Sequence, residues 1–338
     1  MTTTDPYNLS NSDIDLLQRY GWDFAHSAVE HSNADLPLVT IGILSYNRCE
    51  DVLRTLCLVT RHISYAHTEI IVVDNASTDA TVDSIRRCFP NVTTVVMSTN
   101  SVTAARNEFI QRAQGTYIVC LDDDSVPGSA TSITDMVTWM EKHPDVSILS
   151  TRCLQPRTDI DETRSFEIMG VRRGNEVHDA DLWYEGHFLF ECACCMRTDD
   201  VRAVGGYAPY NNWGAEGMEL AMRMYMAGYR AGWHPGFVTL HFKQWTSRPR
   251  QSSGVWAVRH RIQFFAMYFP WIILLPLLMA YTLRRIVECV IHPGRTIGVV
   301  QGYVGGIGTI PAARRHTPKL TLRQALSLGP WYAGALRW

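Results

Sequence analysis

From Leu38 onward the chain repeats one pattern, in which a short continuous apolar run is followed by a stretch of helical spacing. LVTIGILS (38–45), EIIVVD (69–74), VTTVVMS (92–98) and TYIVCLD (116–122) read as strands. Residues 52–59, a segment through Val82 and Ile85 that ends at Pro90, and residues 102–113 read as the intervening helices. Strands that are apolar on both faces must be covered on both faces, so the expected fold is α/β, doubly wound, with a mostly parallel sheet. A helix over 131–142 and strand VSILST (146–151) continue the series. The spacing then predicts a strand over 186–196, a helix over 198–204, a helix from about Gly214 to Gly228 and strand FVTLHF (237–242). Residues 153–186 are polar and irregular and read as a lid or acceptor loop.

In such sheets ligands sit beyond the carboxyl ends of the strands, so the polar residues that close each strand carry the chemistry. No G-x-G-x-x-G follows the first strand and no G-x-x-x-x-G-K-[ST] occurs, which argues against dinucleotide and P-loop readings. Three aspartates in a row, Asp122, Asp123 and Asp124, close the fourth strand. Like charges so placed repel unless a cation compensates, and hard oxygen donors suit Mg²⁺ or Mn²⁺ with substrate phosphates. The bland alternative is a solvated acidic turn that caps the next helix.

VTIGILSYNR, IIVVDNASTD, NSVTAARN, YIVCLDDDSVP and WGAEGMELAMRMYMAGYR, in that order and spacing, resemble the inverting glycosyltransferases of family 2, which bind nucleotide sugars on the GT-A fold. The resemblance covers about residues 38–245, between an N-terminal extension (1–37) and a basic, apolar, helical C-terminal region (246–338). It implies a metal-dependent inverting transfer from a nucleotide-diphosphate sugar to an acceptor hydroxyl. It also implies that Asp74, Asn75 and the Ser45, Tyr46, Asn47 loop bind the nucleotide, and that Arg106 and Asn107 approach the diphosphate. Asp122 and Asp124 would hold the Mg²⁺ or Mn²⁺, Asp123 would lie nearer the ribose or sugar, and His241 would complete the metal shell.

The acid–base assignment departs from the family pattern E-D-x-[DE]-L, because this chain reads Glu216-Gly217-Met218-Glu219-Leu220 and Gly217 replaces the aspartate that often serves as base. Glu216, at a helix N-terminus, is the expected base. Glu219 is the second candidate and also has an i, i+4 partner in Arg223. Trp213 is expected to stack on an acceptor sugar, with a core role as the alternative. Two other functions stay open. One is a nucleotidyltransferase that makes nucleotide sugars, which would want a glycine-rich basic loop where SYNR stands. The other is a non-catalytic nucleotide- or carbohydrate-binding protein, which Gly217 makes conceivable.

Charge divides the chain at Phe242, with 18 Lys plus Arg and 32 acids before it, and 13 basic residues and the single acid Glu288 after it. Residues 262–283 are 22 consecutive uncharged residues, interrupted by Pro270 and Pro276 and flanked by Arg259, Arg261, Arg284 and Arg285. That length suffices for a bilayer span, while the prolines and symmetric flanks suit a kinked in-plane or re-entrant segment, and a buried helical pair remains open. An anionic membrane surface is the expected partner of 246–338, rather than nucleic acid. The acceptor is then a glycan, a glycolipid or a small molecule. Gly302, Gly305, Gly306 and Gly308 read as a glycine-rich loop without a phosphate motif. The N-terminal residues show no basic, then apolar, leader pattern, and the nine cysteines are scattered, with Cys192, Cys194 and Cys195 coming nearest to a cluster and reading as buried thiols beside a strand. The expectation is a cytoplasmic protein, peripheral at the cytoplasmic face of the membrane.

Overall fold

A computed structural model describes residues 11–19, 22, 36–156, 160–161, 183–186, 191–192, 194–209, 216–242, 250–315 and 318–328. Helix α1 (Asn11–Arg19) precedes β1 (Val39–Ser45), α2 (Cys49–Arg61), β2 (Thr68–Asp74), α3 (Thr81–Cys88), β3 (Thr93–Val96), α4 (Val102–Arg112) and β4 (Tyr117–Asp122). Then follow β5 (Ser125–Pro127), α5 (Ser132–Lys142), β6 (Val146–Gln155), β7 (Ile160–Asp161), β8 (Tyr184–Glu185), β9 (Cys194–Arg197), α6 (Thr198–Ala203), α7 (Glu216–Met226) and β10 (Arg230–His241). The C-terminal region is helical, with α8 (Arg250–Tyr268), α9 (Trp271–Ile291), a 3₁₀ turn (Pro293–Arg295), α10 (Thr296–Arg315) and α11 (Leu322–Ser327).

The sheet runs in the order β3-β2-β1-β4-β9-β6-β10-β5. The first four strands are mutually parallel, as is the β6–β10 pair, while β9 is antiparallel to both β4 and β6. Period-2 alternation makes the two covered faces. Val39, Ile41, Ile43, Tyr117, Val119 and Leu121 pack with Val52 and Leu56 of α2 and Ile133 and Met136 of α5. Leu44, Ile118 and Cys120 pack with Phe109 of α4 and Leu220 of α7. Gly42 is needed there, because a Cβ at that position would lie 2.7 Å from the Phe109 ring.

Three local expectations differ from the structure. Among the described residues of the strand expected over 186–196, strand begins at Cys194 and runs to Arg197, residues 191–192 form a turn, and residues 187–190 and 193 lie outside the described residues. Strand β10 begins at Arg230 rather than residue 237, because register shifts at Arg230/Ala231 and His234/Val238 let the Gly- and Pro-containing run stay in the sheet. The glycine-rich segment is not a loop but part of α10. A Cβ at Gly302 would lie 2.5 Å from the Val255 carbonyl oxygen, and one at Gly306 would lie 2.9 Å from Ile262 Cβ, so these glycines let α10 close on α8.

The apolar stretch 262–283 is two helices rather than one, broken at Phe269–Pro270 where the proline cannot continue α8. Ile262 and the run from Phe264 to Phe269 are buried in a third core that includes Met218 and Met222 of α7. Among the described residues no helix is long and apolar enough to cross a membrane. At the other end of the chain, Leu16, Leu17 and Trp22 pack on Leu58, Val126 and Leu240.

Candidate active site

Asp122 ends β4, and the chain turns through Asp123 and Asp124 into β5. Strand β5 pairs antiparallel with β10, which sets His241 opposite Ser125 in register. The Phe242 N–H donates to the Asp124 carbonyl at 2.7 Å. These pairings bring His241 Nε2 to 3.1 Å from Asp124 Oδ1. Asp122, Asp124 and His241 each offer a ligand atom, all within 4.8 Å of one another. Two hard carboxylates and an imidazole suit Mn²⁺ or Mg²⁺. The local charge also fits a cation, because acids outnumber bases there: Asp123 interacts with Asp122 and Asp124, Glu191 with Asp122 and Glu216, and the two arginines Arg48 and Arg106 oppose them.

Asp123 points into the protein. Its carboxylate accepts from Ser45 Oγ at 3.2 Å, from the Tyr46 N–H at 3.1 Å and from Arg48 Nη1 at 3.1 Å. Burial, and then the charge of Asp124, push its pKa up to about 8. Arg48 also pairs with Asp124. Burial opposes the charge on Arg48, but Asp123 and Asp124 outweigh it and raise its pKa. Sequence reasoning did not select Arg48, although it is the one basic residue in the loop that closes β1.

Arg106 is buried, with Nη2 2.7 Å from Asp122 Oδ1 and Nη1 donating to the Glu191 carbonyl at 3.3 Å. The structure therefore sets it against a candidate metal ligand. Asn107 spends its amide elsewhere, with Nδ2 donating to the Tyr207 carbonyl at 2.8 Å and Oδ1 accepting from the Tyr207 N–H at 2.7 Å. It clamps the Gly205-Gly206 turn, whose residues have φ of 83° and 65°.

The ends of β1 and β2 form one wall. Asn47, with φ of 52°, accepts from the Thr78 N–H at 2.7 Å and donates its own N–H to Ser77 Oγ at 2.8 Å. Asn75 donates to Asn100 at 3.0 Å and accepts from the Ser101 N–H at 2.7 Å, which ties in the start of α4. Asp74 Oδ2 accepts from the Ser77 N–H at 2.9 Å. Its Oδ1 is buried with no hydrogen-bond partner among the described residues. The Tyr46 side chain stands exposed at the rim.

Glu216 is the first residue of α7 and is buried. Glu219 is fully buried, receiving Arg223 Nε at 2.7 Å, Arg223 Nη2 at 2.8 Å and the Tyr268 hydroxyl at 2.5 Å. The expected i, i+4 pair is present, but it lies inside the protein and ties α7 to α8 rather than decorating a surface. Glu191 is a carboxylate that sequence reasoning missed. Burial, and then the neighbouring charge of Glu216, push its pKa up to about 8, while Arg106 opposes the rise. A lone acid within the apolar FLFECACCM was its signal. Cys192, Cys194 and Cys195 are buried thiols, as expected, and Cys153 and Cys192 each bring a sulfur within 4.8 Å of a His241 ring nitrogen. Trp213 lies outside the described residues.

Residues 40–205 match the family model for glycosyl transferase family 2. The putative teichuronic acid biosynthesis glycosyltransferase TuaG of Bacillus subtilis (strain 168) is 37% identical over 92 residues, which are 26% of this chain and 36% of TuaG. The prophage-derived glycosyltransferase SunS of the same strain is 34% identical over 97 residues, 28% of this chain and 22% of SunS. The matches thus span about a fifth to a third of those relatives. The structure of the mannosyltransferase PcManGT from Pyrobaculum calidifontis, in complex with GDP-Man and Mn²⁺, superposes with a TM-score of 0.53 at 18% identity, covering 95% of this chain and 91% of that one. Residues 40–205 thus resemble glycosyltransferase family 2, and the chain has the GT-A fold.

Proposed function

We propose that the protein is a metal-dependent inverting glycosyltransferase that moves a sugar from a nucleotide-diphosphate donor to an acceptor hydroxyl of a cell-envelope or lipid-linked glycan. The observation that carries this reading is the Asp122, Asp124, His241 donor set at the strand ends, with Arg48 and Arg106 against the same carboxylates. The donor in the PcManGT complex and the teichuronic acid role in the name of TuaG support the choice of substrates.

Mg²⁺ or Mn²⁺ held by Asp122, Asp124 and His241 would offset the charge of the departing diphosphate. The remaining steps belong to side chains. Asp74 Oδ1, a buried acceptor with no donor among the described residues, takes an N–H of the nucleobase. Arg48 and Arg106 limit repulsion among the aspartates before a donor arrives. Glu216, at the positive end of α7, accepts the proton of the attacking hydroxyl. Glu191 remains neutral below about pH 8 and so places no second negative charge beside that base.

The C-terminal helices fit an anionic membrane approached from the cytoplasmic side. Ile272, Met279, Leu283 and Val290 of α9 and Ile297 and Val304 of α10 are each at least 65% exposed. With 13 basic residues and one acid after Phe242, this is an amphipathic, cationic surface suited to lying in the plane of the interface. The reaction is tested by proton NMR of the product formed from α-linked UDP-, GDP- and dTDP-sugars. A β-linked product supports inversion, whereas an α-linked product, pyrophosphate release in a parallel reaction given a nucleoside triphosphate and a sugar 1-phosphate, or tight donor binding without turnover contradicts the reading.

A further inference from the structure

Arg261 of α8 and Arg284 and Arg285 of α9 gather around Tyr281. Arg261 is 9% exposed, on a helix whose following residues are the third core. Arg261 Nη1, Arg284 Nη1 and Arg285 Nε are buried and have no hydrogen-bond partner among the described residues. The Arg285 guanidinium carbon lies 5.0 Å from the Tyr281 ring centroid, and the charges of all three arginines act on the Tyr281 hydroxyl. Burial lowers the pKa of Arg261, against the pull of Tyr281 and aided by Arg285. Burial, and then Arg285, push Arg284 down to about 10.

Compensation is sparse. Glu288, the single acid of residues 243–338, is shared between Arg285 at 2.6 Å and Arg295 at 3.2 Å. Buried like charges with unmet N–H donors are expensive in a folded protein unless an anion joins them. Guanidinium forks match the oxygen geometry of phosphate, and three converging on one ring leave donors for a tetrahedral oxyanion.

We infer that Arg261, Arg284 and Arg285 form a phosphate-binding site, and that the phosphate it takes is the headgroup phosphate of an anionic lipid. The headgroup is favoured by what surrounds the arginines. Leu283, Ile286, Val287 and Val290, on the same turns of α9, are 65%, 55%, 49% and 75% exposed. A phosphate beside an exposed apolar face reproduces the order of groups at a bilayer interface. Tyr268, which binds Glu219 on α7, lies seven residues beyond Arg261, about 10 Å along α8, so the helix that carries Arg261 also braces α7. The inference rests on the membrane-docking reading of the C-terminal helices and uses none of the residues assigned to sugar transfer.

The test uses the full chain in co-sedimentation with phosphatidylcholine vesicles, with and without phosphatidylglycerol, and in thermal melts with inorganic phosphate. The variants are Arg261→Gln and Arg284→Gln, with the exposed Arg315→Gln at the end of α10 as the charge control. Wild type should bind the phosphatidylglycerol vesicles, and each cluster variant should bind about thirtyfold more weakly, as expected for losing hydrogen bonds to a charged group. Arg315→Gln should lose about fivefold at most, the size of a generic surface charge effect. Arg261→Gln should melt no lower than wild type, because it removes an uncompensated buried charge, whereas a purely structural arginine would lower the melting temperature. Equal weakening by all three variants would overturn the site while leaving membrane docking in place. If wild type binds no vesicles, the headgroup assignment and the docking reading both fall. A phosphate-induced rise in melting temperature, lost in Arg261→Gln, would then support a free-phosphate site.

Discussion

His241 Nε2 lies 3.1 Å from Asp124 Oδ1, although 117 residues separate them in the chain. The contact exists because β5 reverses directly after the aspartates and pairs with the last residues of β10. Substituting any member of the Asp122, Asp124, His241 set should therefore weaken metal binding before it affects folding. Asp124→Ala and Asp122→Ala should lower Mn²⁺ affinity by about a hundredfold or more, and His241→Ala by about tenfold to a hundredfold. Isothermal titration with MnCl₂ checks this, with circular dichroism confirming the fold.

Glu216 and Glu219 should fail in different ways. Glu216→Gln should keep donor binding and lose about 10²- to 10⁴-fold in turnover, the usual contribution of a general base. Glu219→Gln should instead destabilise the protein by about 3 kcal/mol, because Arg223 and the Tyr268 hydroxyl lose the carboxylate they share. Denaturant melts together with single-turnover assays separate the two. A stable but inactive Glu219→Gln would move the base to Glu219.

The parallel strands β1, β2 and β4 and the helices between them are legible in sequence because each of these strands is a mostly buried apolar run and each helix has its own period. Asp122, Asp123 and Asp124 are legible because three acids after such a run have no cheap structural explanation. What Asp123 does is not legible, since its inward turn depends on Ser45, Tyr46 and Arg48 from another loop. Asn107 and Glu219 look like site residues in one dimension and prove to be tied to Tyr207 and to Arg223 with Tyr268, partners 100, 4 and 49 residues away. Glu191 escapes for the opposite reason. It sits in a run that reads as strand, and only the fold brings it to Glu216 and Arg106.

Glu191 should make stability depend on pH. Its folded pKa is raised from the ordinary 4.5 to about 8, so between those values the native state holds a proton that the unfolded chain has released. The stability from this group is complete below about pH 4.5 and falls as pH rises toward 8, with a slope of at most about 1.4 kcal/mol per pH unit. Glu191→Gln should flatten the decline in urea midpoints over that window when measured in EDTA. An unchanged profile would show that its carboxyl is not the group responsible.

Gly302 and Gly306 should tolerate no side chain. Gly302→Val would place Cβ 2.5 Å from a backbone oxygen of α8, so separating α10 from α8 should cost about 1 to 3 kcal/mol. Gly308, which has open space at its Cβ position, should accept alanine with no loss, and a gain from improved helix propensity of up to about 1 kcal/mol. Thermal melts of the two variants make the comparison.

The central claim is that Asp122, Asp124 and His241 support sugar transfer from a nucleotide donor. Its most direct test is nucleoside diphosphate release from a panel of UDP-, GDP- and dTDP-sugars with membrane lipid extract, in Mn²⁺ or Mg²⁺ and in EDTA, for wild type and Asp124→Ala. Release with one donor that disappears in EDTA and in Asp124→Ala is the predicted result. Release that persists undiminished in either condition would contradict it.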